Sequence, residues 1–129
     1  MKKILILILI LSLLPFTVIP VSANKERDTL LLALAADTVA LDGSYTLRLA
    51  VCAMLINRQK SENYPKSLAA VICDAGISLP CAESASARSL RAAADALGGS
   101  DPTKGALTMS RTPLENKRAR LAVEDCFFY

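Results

Sequence analysis

The chain has 129 residues, no histidine, 15 Lys and Arg against 12 Asp and Glu, and four cysteines. Without histidine there is no Ser-His-Asp triad, no Cys-His pair, no HExxH zinc site and no imidazole base, so any chemistry rests on carboxylates, hydroxyls, thiols or amines. A Gly-rich phosphate loop and a dinucleotide fingerprint are also absent, and no cofactor is expected.

Lys2 and Lys3, the apolar run Ile4 to Leu14 and the small-residue site Val21-Ser22-Ala23 predict a secretory signal peptide over residues 1–23, cleaved after Ala23. Pro15 and Pro20 interrupt the apolar stretch, and no stable membrane span is expected once the leader is gone. Residues 24–129 then make one domain, too short for two cores. Cleavage removes two basic residues and no acidic ones, leaving thirteen against twelve, so nothing in the overall charge points to a nucleic-acid partner. Lys104, Arg111, Lys117, Arg118 and Arg120 cluster near the C-terminus, as a solvated face or as a weak attraction for an anionic wall polymer.

The first predicted helix is capped by Asp28, turns Leu30, Leu31, Leu34 and Ala35 inward, and runs to about Ala40, where Asp42-Gly43 breaks it. Ser44 caps a second, central helix with Leu47, Val51, Met54 and Leu55 buried and Arg48, Arg58 and Lys60 wet. Pro65 stops it from continuing. Ser67 then starts a short helix through Leu68, Val71 and Ile72 that Gly76 ends in a left-handed cap. Residues 77–83 read as a loop. Ser84 or Ser86 starts an Ala-rich helix that Gly98-Gly99 closes, and Asp101 to Gly105 is a turn. Ala106 to Ser110 and Leu121 to Tyr129 read as two strands joined by the polar segment Arg111 to Arg120.

An exported chain with Cys52, Cys73, Cys81 and Cys126 permits two disulfides in three pairings, among which spacing does not choose. Cys73 and Cys81 are near enough for a local bridge that staples the loop between them. Cys52 lies within an apolar helical pattern that suits a buried free thiol equally well. No Cys-x-x-Cys pair exists to hold a metal.

The run Tyr45 to Arg58, ending in Asn57-Arg58, is followed by Tyr64-Pro65 and Ala70-Val71-Ile72, then by Asp95-Ala96-Leu97, Asp101-Pro102-Thr103-Lys104-Gly105-Ala106-Leu107 and the closing Val123 to Tyr129. In this order the blocks resemble the SleB family of cell wall hydrolases, the spore cortex-lytic enzymes, across essentially all of residues 24–129. The resemblance implies an α+β domain, mostly helical and lysozyme-like, with a small C-terminal antiparallel hairpin or sheet. It also implies peptidoglycan glycan strands as partner and cleavage of the lytic-transglycosylase type by one glutamic acid; together with the leader it points to a secreted or cell-envelope location in a bacterium, and a monomer is expected.

The family's acid lies in a loop of the form E-A-x-x-x-P-Y. Setting its Tyr on Tyr45 puts Val39 where the glutamate belongs, and valine cannot donate a proton. Asp42, three residues on, is the candidate for a relocated catalytic acid, with the Asp-Gly turn as its structural alternative. Glu124 and Asp125 are more distant candidates. Tyr45, Asn57 and Thr108 are the positions expected to contact glycan, although Asn57 suits a structural role at the helix end as well. Thr108 and Met109 replace aromatics of the family, Ile77 replaces another, and Cys126 stands where His is usual. The expected function is therefore a peptidoglycan-directed cell wall hydrolase with a degenerate site, or a secreted non-catalytic module on the same fold that binds wall polymer or protein.

Overall fold

A computed structural model describes residues 21–129, and the expected signal peptide lies outside the described residues except for its last three. Four helices are followed by a small sheet: α1 (Val21–Val39), α2 (Tyr45–Lys60), α3 (Leu68–Asp74), α4 (Ala87–Leu97), then β1 (Met109–Ser110), β2 (Leu121–Val123) and β3 (Cys126–Phe128). This is the mostly helical α+β architecture expected from the sequence. No helix among the described residues is long and apolar enough to cross a membrane.

Three serines start three of the helices. The hydroxyls of Ser44, Ser67 and Ser86 accept from the amides of Leu47, Ala70 and Ser89, each satisfying one of the donors that a helix start leaves open. Two glycines end helices by one device. At α3, Ile77 N–H donates to the Ile72 carbonyl and Gly76 N–H to Cys73, and at α4 Ser100 donates to Asp95 and Gly99 to Ala96. Gly76 and Gly99 carry φ of +75° and +106°, which the paired bonds require and which a Cβ would resist.

The second helix is central, as its pattern predicts, but buried all round: every residue from Leu47 to Ile56 is buried. It packs against α1, α3 and α4, so no face is left for solvent through its middle. Helix α1 departs from expectation in two ways. It is already helical at Val21, the first described residue, so Asp28 lies inside the helix and does not cap it; Lys25, Glu26 and Arg27 are good helix formers with nothing among them to stop it. Its buried set is Leu32, Ala33, Ala35 and Ala36 with Leu34, because α2 and α4 both pack on it; Leu30 and Leu31 remain partly exposed. Ala92, Ala93 and Ala96 on α4 complete an alanine-rich seam whose small side chains let the three helices approach closely.

The two expected strands become three. Leu121 to Tyr129 divides at Glu124-Asp125 into the hairpin β2–β3, with Glu124 at φ +52°, and β1 pairs with β3 and not with its neighbour in sequence. The order is β1-β3-β2, with Met109 opposite Phe128 and Val123 opposite Cys126. Strand alternation turns Cys126 and Phe128 into the core and leaves Phe127 and Tyr129 half-exposed.

The disulfides permitted by the cysteine count are not formed, and all four cysteines are free thiols. Cys73 and Cys81 are exposed, and the bonds of Gly76 and Ile77 close the end of α3 without a covalent staple. Cys52 and Cys126 are wholly core groups, at 0% and 1% exposure. The Cys52 Sγ faces the Leu32 carbonyl at 3.6 Å, and burial pushes its thiol up to about 12.

Candidate functional site

The last position of α1 is Val39, where the resemblance puts the family's glutamate, and the turn that follows, before α2, carries the candidate acid Asp42. Three separate parts of the fold hold this loop. From α2, Arg48 Nε donates to the Gly43 carbonyl at 3.0 Å. From beyond β1, Arg111 Nη2 donates to the Val39 carbonyl at 2.9 Å, placing a cation at the C-terminal end of α1, where the helix dipole favours one. From the β2–β3 turn, Glu124 Oε1 accepts the Ser44 amide at 3.0 Å. Gly43 is required by space: a Cβ there would stand 2.9 Å from both the Ala40 carbonyl oxygen and Leu47 Cδ2.

Behind Arg48 lies a polar cluster that the sequence reading missed. Arg48 was expected to be wet, yet it is 7% exposed. Its Nη1 contacts Asp37 Oδ1 at 2.5 Å and donates to Ser89 Oγ at 2.6 Å, while Asp37 also accepts from the Ser86 amide at 2.8 Å and from the Ser86 and Ser89 hydroxyls. Burial pushes the Asp37 carboxyl up, but the bonds from Ser86, Ser89 and Arg48 together outweigh it and hold the group below the usual carboxylate range. The signal was present: Arg48, Val51, Cys52 and Leu55 follow helical spacing, so one arginine sits on a buried stripe and needs a partner. Through Gly43, this cluster ties the loop to α1, α2 and α4 at once.

Asp42 is exposed and carries φ +62°, the left-handed conformation that aspartate tolerates in turns. Glu124 reaches the same loop, where the Ser44 amide and hydroxyl hold its carboxyl below the usual range and favour the ionised acceptor at the start of α2. The Tyr45 hydroxyl donates to the Asp95 carboxylate of α4 and its ring lies under Arg91 at 5.7 Å, so the tyrosine pins α2 to α4. That hydrogen bond, with burial and the Asp95 charge behind it, pushes the phenol upward.

Asn57 and Thr108 lie at the other end of the molecule. From Tyr45 to Asn57, α2 rises about 18 Å, at roughly 1.5 Å per residue, so the residues expected to contact glycan do not form one compact pocket. The Asn57 amide donates to Asp101 Oδ2 at 3.0 Å and to the Ala106 carbonyl at 3.1 Å. Asp101 in turn accepts from the amides of Thr103 and Gly105 and from the Thr103 hydroxyl. Arg58 Nε donates to the Leu107 carbonyl at 2.6 Å, with its guanidinium over the Tyr64 ring. Thr108 exchanges backbone bonds with Tyr129 and lines a cavity of about 470 Å³ with Tyr64, Lys117, Arg118, Arg120 and Tyr129. The run from Leu107 at this cavity to Arg111 at Val39 therefore connects the two regions along one side of the domain.

Three helices around a buried central one, with a three-stranded antiparallel sheet at the C-terminus, define a lysozyme-like α+β domain. Among solved structures, the fold is similar to that of the catalytic domain of the Bacillus cereus SleB protein, with a TM-score of 0.65 and 22% sequence identity over 80% of this chain and 89% of that one. No family model matches the sequence, and no curated protein matches it.

Proposed function

We propose that this protein is an exported, peptidoglycan-directed domain on the cell wall hydrolase fold, which receives glycan strands along the side of the domain between the Val39 loop and the C-terminal sheet but lacks the ordinary proton donor. One observation carries the reading: the fold of a SleB catalytic domain is combined with a valine at the position where the sequence resemblance puts the catalytic glutamate. The loop around that valine is nonetheless held in shape from three directions, by Arg48, Arg111 and Glu124. Retained shape without a proton donor favours binding over cleavage, because protonation of the leaving oxygen is the step that a carboxylic acid supplies.

A second reading, with Asp42 as a relocated acid, is favoured by its place in the same exposed loop, three residues beyond Val39. Aspartate is shorter by one methylene, and displacements on the order of 1 Å at the reacting centre are costly. Both readings are tested by incubating the purified protein with spore cortex and with vegetative peptidoglycan and identifying released fragments by mass spectrometry. The parent is expected to release no anhydro-muropeptides and the Val39→Glu variant to release them. Products from the parent that vanish in Asp42→Ala would overturn the first reading and establish the second.

A further inference from the structure

The 470 Å³ cavity at the far end of α2 is lined by three cations, Lys117, Arg118 and Arg120, and by no Asp or Glu side chain, while the Tyr129 main-chain oxygen at its wall accepts the Leu107 and Thr108 amides. The chain as a whole carries a formal net charge of only +3, so three unpaired cations around one cavity reflect placement more than composition. Among the described residues the only ion pairs are Arg48 with Asp37 and Arg91 with Asp95, and none of the three cavity cations takes part in one. Asp101, under the adjoining turn, spends its carboxylate on Asn57, Thr103 and Gly105. Glu115, the one acid between residues 111 and 120, is exposed and makes no ion pair.

The walls are fixed. Arg120 Nη1 donates to the Lys104 carbonyl at 2.7 Å, and the Leu114 amide donates to the Tyr129 hydroxyl at 2.8 Å, which draws the 111–120 segment back over the sheet. Arg58 holds Tyr64 from behind and anchors the Leu107 carbonyl. The result presents guanidinium forks and an ammonium beside two tyrosine rings. Such forks match the oxygens of phosphate, and the amphipathic rings suit a carbon chain rich in hydroxyls. About 21 Å of helix, the rise from Ser44 to Arg58, separates this cavity from the Val39 loop.

We propose that the cavity is a second binding site, for the phosphate groups of a polyol-phosphate polymer of the cell wall. The choice of a wall polymer rests on the function proposed above; the anion chemistry does not. The purified protein is titrated with a soluble polyol-phosphate oligomer free of peptidoglycan, at about 0.05 and about 0.5 M salt, conditions that differ severalfold in screening length. Lys117→Ala/Arg118→Ala is compared with Lys25→Ala/Arg27→Ala, which removes the same charge from exposed positions on α1. Both variants are checked for unchanged melting, since all four side chains are exposed.

Affinity is expected to fall about tenfold in the cavity variant, as two lost charge contacts would give, to change little in the control variant, and to fall at high salt. Equal losses in the two variants would overturn the site in favour of net charge. Equal affinity for duplex DNA of matched charge would overturn the specificity. Tighter binding to peptidoglycan stripped of phosphate polymer, lost in the cavity variant, would reassign the cavity to stem-peptide carboxylates. Polymer binding that persists when stripped peptidoglycan is not bound would refute the glycan reading and leave this site standing.

Discussion

Replacing Arg48 with methionine keeps most of the aliphatic stem and removes a buried cation. The bonds lost are those from Nη1 to Asp37 and Ser89, at 2.5 and 2.6 Å, and from Nε to the Gly43 carbonyl, at 3.0 Å. Breaking one side of a buried pair typically costs about 3–5 kcal/mol. The lower end applies here, because the Asp37 side chain is 26% exposed and keeps the Ser86 amide and two serine hydroxyls as donors. A loss of about 3 kcal/mol follows, equivalent to a fall in melting temperature of about 15 °C for a domain of this size. Urea unfolding should show the midpoint falling with the slope unchanged. Arg91→Met serves as the contrast: its pair with Asp95 spans 4.0 Å with side chains 81% and 42% exposed, and its loss should cost less than about 0.5 kcal/mol. Similar small effects from both substitutions would refute the assignment of Arg48 as the polar tie between the loop and the helices.

Because the folded-state proton affinity of Asp37 is lowered, its contribution is present above the unfolded aspartate value of about 3.9 and is lost as pH falls through the lower folded value. Asp37→Asn should therefore flatten the acid limb of the stability profile below about pH 4, and an unchanged limb would contradict the shift. In the reduced native protein a thiol reagent should modify the exposed Cys73 and Cys81 promptly. Cys52 and Cys126 should react only on unfolding, and fast modification of all four would contradict their burial. Asn57→Ala removes the donor to Asp101 and to the Ala106 carbonyl and should cost about 2 kcal/mol, with faster amide exchange at Gly105 and Ala106; a neutral result would separate Asn57 from the turn.

The starts of α2, α3 and α4 and the stops of α3 and α4 were legible because local chemistry decides them: a serine hydroxyl meets an amide three residues on, and a glycine accepts positive φ. The stripe of α1 was not, since which face of an alanine-rich helix is buried depends on how many neighbours pack against it. The pairing of β1 with β3 was hidden by a continuous apolar reading through Glu124-Asp125, where two polar residues make a turn. At the site, the reading that the acid is missing rests on one residue, Val39, at the position the sequence resemblance gives to the family's glutamate. The Asp37–Arg48–Ser86–Ser89 cluster joins three helices, and the only local trace of it is a cation on an apolar stripe. Tyr45 and Asn57 share one helix, and only its length shows that they serve opposite ends of the domain.

The central claim is that this fold binds glycan strands without cutting them. Its most direct test is sedimentation of the purified protein with insoluble peptidoglycan stripped of phosphate polymers, with the supernatant examined for both protein and muropeptides. Protein in the pellet with no anhydro-muropeptides released is the predicted result; protein left in the supernatant would contradict the account.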